Sequence, residues 1–101
     1  MALLFSGKFT VSPDVISEQV LDETLLLNIK TLVYIRLDSL AGSLWQLLTS
    51  HHDVESVYSE LKVQQQLPEQ QLEQFFNGCM GGFQRAQLIS MEQPKQGGAS
   101  S

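Results

Sequence analysis

The chain predicts an α+β domain in which a three-stranded antiparallel sheet is followed by three helices. Short β-branched or apolar runs, separated by brief turns, fill residues 15–37. Beyond Asp38 the apolar residues change to spacings of three and four, the repeat of a helical face. The whole is 101 residues long and 43% hydrophobic, which suits one compact core and is too short for two domains.

The first strand is Val15 to Val20, entered through the turn residues Ser12-Pro13-Asp14. Asp22-Glu23 makes a tight connection to a second strand, Thr24 to Asn28. A further turn spans Asn28 to Thr31, with Asn28 suited to its geometry. Leu32 to Leu37 is the third strand, with Val33, Ile35 and Leu37 on one face and Leu32, Tyr34 and Arg36 on the other. Links this short imply an antiparallel meander, which places the third strand at a sheet edge.

Asp38 reads as the N-cap of a first helix, because its carboxylate can accept from amides left free at a helix start. Leu40, Leu44, Leu47 and Leu48 form one face, widened by Ala41 and Trp45, and the helix should stop near residues 49–52. Asp53 caps a second helix with Val54, Val57, Tyr58 and Leu61 on its inner face. Val63 to Leu67 reads as a Gln-rich link. Pro68 fits the first turn of a third helix, where a missing amide costs nothing. That helix carries a soft stripe of Leu72, Phe75, Phe76, Cys79, Met80 and Phe83, interrupted by Gly78, Gly81 and Gly82. Each interior glycine costs about 1 kcal/mol against alanine, so close approach by another chain, or a kink, is expected there.

Composition excludes several functions. Eleven acidic residues against six basic ones give a net charge of −5, the wrong sign for a surface that binds nucleic acid through its phosphates. A single cysteine, Cys79, allows no internal disulfide and points to a reducing, cytoplasmic home. The apolar start, Met1 to Phe5, is too short for a secretory segment, and no run approaches a membrane span. His51 and His52 are adjacent and lack partners for a metal site. Cys79 sits on an apolar stripe without a neighbouring histidine, and no phosphate-cradling glycine loop is present. No enzyme, metal or cofactor is expected.

The edge strand and the soft helix together suggest a groove for β-strand addition, in which backbone pairing gives affinity and side-chain pockets give selectivity. The competing reading of Phe75, Phe76, Met80 and Phe83 is plain core beneath the sheet.

Residues Asp22-Glu23-Thr24-Leu25-Leu26-Leu27-Asn28, Thr31, Tyr34, Leu37-Asp38 and Leu44-Trp45-Gln46-Leu47-Leu48 resemble the PqqD family in order and spacing, as does Leu67-Pro68-Glu69-Gln70-Gln71 opening a long helix that ends at Leu88-Ile89. The likeness spans about residues 9–90. Leu32 stands where the family usually has a turn glycine, Ala41 where it has a helix glycine, Asp38 for the common Asn, and Leu67 for a capping Asp.

The resemblance implies a winged-helix-like fold acting as a leader-peptide-binding chaperone, or RiPP recognition element. Such a domain binds the leader of a ribosomally synthesised precursor peptide and serves lasso-peptide or PQQ biosynthesis. It also implies a peptide site made by Leu32, Val33, Tyr34, Ile35, Arg36 and Leu37 of the third strand with Phe75, Phe76, Cys79, Gly82 and Phe83 of the third helix. Arg36 and Lys30 could attract acidic leader residues, or could be solvated edge charges. The expected partners are the leader peptide and a modifying enzyme or leader peptidase, with the chain a monomer or weak homodimer. Residues 1–8 are expected as a flexible N-terminus, 9–90 as the recognition domain and 91–101 as a disordered tail. A winged-helix DNA-binding regulator and a dimerising structural subunit are the alternatives.

Overall fold

The structure, a computed structural model, describes residues 3–92. The elements run β1 (Phe9–Val11), β2 (Val15–Val20), β3 (Glu23–Asn28), β4 (Val33–Leu37), α1 (Ser39–Ser50), α2 (Val54–Gln65), α3 (Glu69–Arg85) and β5 (Ile89–Met91). As the sequence predicts, a three-stranded antiparallel sheet precedes three helices. Its strand order is β2-β3-β4, so β4 lies at an edge, and β2 lies at the other. Leu26 of β3 pairs with Ser17 on one side and Ile35 on the other, and this register puts Thr24, Leu26 and Asn28 on the buried face.

Strand alternation and helix periodicity converge on one core. Leu26 and Leu37 from the sheet meet Leu44, Trp45 and Leu48 from α1, Val54, Val57, Tyr58 and Leu61 from α2, and Leu72, Phe76, Met80 and Phe83 from α3. Phe83 packs edge-on against Trp45 at 5.5 Å between centroids, and Phe76 against Tyr58 at 5.2 Å, geometries that suit the aromatic quadrupole. Both expected caps form: Asp38 accepts from the Ala41 amide at 2.9 Å, and Asp53 from the Ser56 amide at 3.1 Å. Gly42 lets α1 approach β3 closely, since a Cβ there would stand 2.7 Å from Thr24 Oγ1.

Several boundaries differ from the sequence reading. α2 runs on to Gln65 through residues expected as a link, and Gln66 ends it in the left-handed conformation. α3 stops at Arg85 rather than at Leu88-Ile89. Gln87 is left-handed at φ 62°, and Ile89 instead opens β5, pairing with Val11. The β1–β5 ribbon was not legible, because three-residue strands carry too few alternations to register. Residues 3–8, expected to be flexible, lie against the helices: the Leu4 amide donates to Asn77 Oδ1 at 2.9 Å, Leu3 and Phe5 pack on the core, and the Val54 amide donates to the Gly7 carbonyl. The expected disordered tail begins at 91, yet Met91 belongs to β5; residues 93–101 lie outside the described residues.

Candidate functional site

Asn28 builds the turn that delivers the chain into β4. Its buried side chain accepts from the Lys30 and Thr31 amides at 2.9 and 3.2 Å, while Nδ2 donates to the Gln87 carbonyl at 3.0 Å. The Leu32 amide closes the turn onto the Asn28 carbonyl at 2.7 Å. Leu32 itself is not in the strand. It holds φ 62°, a conformation that strains a leucine and suits glycine, the residue the family usually places there. Expected as the first strand residue, it is corrected to the last turn residue, 76% exposed.

β4 then alternates. Val33 and Ile35 are half-buried and Leu37 is buried, whereas Tyr34 and Arg36 face outward. Arg36 Nε is 3.4 Å from Glu23 Oε1, an exposed pair worth little in energy. Among the described residues only β3 pairs with β4, which leaves the outer row of β4 backbone groups open to another strand.

The α3 residues divide between two faces. Leu72, Phe76, Met80 and Phe83 are buried, so Phe76 and Phe83 support the site from within the core and offer no surface to a ligand. The half-buried Phe75, Cys79, Gly82 and Ala86 follow one another at spacings of four, three and four, a stripe rotated away from the core. Cys79 shows which way this stripe turns. Burial pushes its thiol up to about 11, and the Asp38 carboxylate just after β4 adds to that shift, so Cys79 lies within electrostatic reach of the end of the edge strand. The thiol is protonated and unreactive at neutral pH.

The glycines sort by face as well. Gly81 lies where Phe5 crosses the helix, with a built Cβ 4.0 Å from Phe5 Cζ, so the chain's own N-terminal segment makes one close approach. A Cβ on Gly78 or Gly82 would meet nothing within 4 Å. The fold therefore leaves space over Gly82, beside Phe75 and Cys79.

Other features carry less. A cavity of about 600 Å³ lies away from β4, lined by Phe9, Thr49, His51 and His52 among others. Among the described residues no cluster of His, Cys, Asp and Glu is placed to hold a metal, and no helix is long and apolar enough to cross a membrane.

Among the described residues, the α+β domain thus combines a sheet whose β4 edge is unpaired with a partly exposed stripe of soft residues on α3. The chain belongs to the family of coenzyme PQQ synthesis protein D (PqqD), whose family model matches residues 23–89. Its fold is similar to that of a solved structure described as TbiB1 in complex with the TbiA(beta) leader peptide, with a TM-score of 0.71, 21% sequence identity, and coverage of 79% of this chain and 93% of that chain. No curated protein matches the chain.

Proposed function

We propose that this chain captures the leader segment of a ribosomally synthesised precursor peptide by strand addition to β4 and delivers it to a modifying enzyme or leader peptidase. The open β4 edge, in a member of the PqqD family, is the observation that carries the reading. The leader described with the TbiB1 structure gives the ligand class. Val33, Tyr34, Ile35, Arg36 and Leu37 supply the backbone edge, Phe75, Cys79 and Gly82 supply the facing wall, and Phe76 and Phe83 stiffen that wall from inside the core. The domain acts by holding the peptide, without a catalytic group of its own.

A five-residue edge offers about four to six outward N–H and C=O groups, each bond contributing about 0.5–1.5 kcal/mol net. With one or two buried anchor side chains, and after ordering costs, dissociation constants of roughly micromolar to nanomolar follow. DNA binding finds no support in α3, which bears Arg85 as its basic residue against Glu69 and Glu73.

Fluorescence anisotropy of the labelled leader from the chain's own precursor tests the reading. Saturable binding that a scrambled leader loses is the expected result. Absence of binding to a folded domain would refute it.

A further inference from the structure

The β2–β3 hairpin and the first two turns of α1 enclose a cleft of about 400 Å³ that shares no residue with β4 or α3. Two periodicities meet there. Gln19 and Thr24 are paired across β2 and β3, so both side chains stand on the helix-facing side of the sheet. On α1, Ser39, Gly42, Ser43 and Gln46 follow at spacings of three, one and three, which sets them on one helical stripe. Elsewhere these two elements meet through apolar side chains; here both facing surfaces are polar.

The floor of the cleft holds a polar group almost out of water. Thr24 is 2% exposed, and its Oγ1 makes no hydrogen bond among the described residues. Gly42 keeps the space beside it clear, because a Cβ there would stand 2.7 Å from that oxygen. A nearly buried hydroxyl without a partner is destabilising, so a ligand that supplies one gains from it. The wall carries charge. Asp22, in the hairpin turn, makes no ion pair among the described residues, whereas its neighbour Glu23 is engaged by Arg36. The side-chain amides of Gln19 and Gln46 and the Ser39 hydroxyl make no hydrogen bond among the described residues either. At the rim, Leu21 is 92% exposed.

We infer that this cleft receives a guanidinium group. Asp22 is the one charged residue lining it, on a chain of net charge −5, so the ligand is a cation. The positive end of α1 does not oppose this, because Asp38 accepts from the Ala41 amide and offsets it. The spread of acceptors selects the kind of cation. A guanidinium directs five donors within one plane, which match a carboxylate fork together with separate hydroxyl and amide oxygens; an ammonium gathers three donors at one point. Leu21 gives an apolar contact for the aliphatic stem that carries the group. The same chemistry is offered by a free guanidine and by an arginine side chain of a polypeptide. None of the residues assigned to the leader edge or its facing wall lines this cleft, so the inference does not depend on leader capture.

Amide chemical shifts of the isotope-labelled full chain test the site, with butylguanidine and its neutral isostere butylurea as the paired probes. Saturable shifts at Gln19, Asp22, Thr24 and residues 42–46 are expected with butylguanidine at roughly millimolar affinity, and none with butylurea. Asp22→Asn, an exchange at an exposed turn position, should weaken binding about tenfold. Thr24→Val should also weaken it without lowering the melting temperature, since it removes a hydroxyl that has no partner in the free domain. Free L-arginine and the blocked peptide acetyl-Gly-Arg-Gly-amide separate the two sources. Tighter binding of the free amino acid assigns the site to a free guanidine, and tighter binding of the peptide to an arginine side chain. Equal binding of butylurea, unchanged affinity in Asp22→Asn, or shifts that avoid these residues would overturn the inference.

Discussion

Gly82→Leu should raise stability and lower leader affinity in the same molecule. Gly82 lies within α3, and a Cβ there meets nothing within 4 Å, so the fold itself gives no reason for glycine. Replacing an interior helical glycine by leucine gains about 0.5–0.8 kcal/mol. For a domain of this size that raises the melting temperature by roughly 2–6 °C. On the proposed reading, a strand added about 4.8 Å from β4 passes over Gly82 and meets the new side chain. Overfilling a packed contact costs about 1–3 kcal/mol, a weakening of roughly 5- to 150-fold in dissociation constant. Thermal melting and leader anisotropy on one preparation read both quantities. Gly81→Ala is the control, because that residue faces Phe5 and not the stripe of Cys79, and it should leave affinity unchanged. A stabilised Gly82→Leu protein that binds its leader as the parent does would show that the peptide does not cross this part of α3.

Phe76→Ala should cost about 3–5 kcal/mol in a urea titration, comparable to the whole stability of a small domain, so an unshifted midpoint would contradict its place in the core. Gly42→Ala should destabilise by about 1–3 kcal/mol in spite of the better helix former, because its methyl meets Thr24 Oγ1; equal or higher stability would show that β3 and α1 can separate freely. Cys79 should react with iodoacetamide at pH 8 about a hundredfold more slowly than a thiol at the ordinary value of 9.0, and Asp38→Asn should speed it; a fast parent reaction would refute the burial. Because the folded-state value is raised, this thiol leaves stability unchanged below pH 9 and lowers it as pH climbs from 9 towards 11, which melting curves would show.

Much of the fold was legible because its signals are local. Asp38 and Asp53 sit at the positions where a carboxylate can reach free helix amides, and both do so. The stripe Val54, Val57, Tyr58 and Leu61 needs only the helical period to be read, and all four are buried. The candidate site was half legible. Period alone groups Phe75, Phe76, Cys79 and Phe83 on one broad face; only the packing of Trp45 and Tyr58 from neighbouring helices decides that Phe76 and Phe83 turn inward. The β1–β5 ribbon depends on pairing between residues some eighty positions apart, which no local pattern reveals. Leu32 misled for the opposite reason: an apolar residue beside a strand reads as strand, and only backbone geometry places it in the turn.

Strand addition at β4 is tested most directly by amide chemical shifts and hydrogen exchange of the isotope-labelled chain, titrated with its leader peptide. Slowed exchange at alternate amides of Val33–Leu37, with shifts along Phe75, Cys79 and Gly82 and little change in β2, is the result this account predicts. Changes confined to β2 or to the β1–β5 ribbon, with β4 silent at saturation, would contradict it.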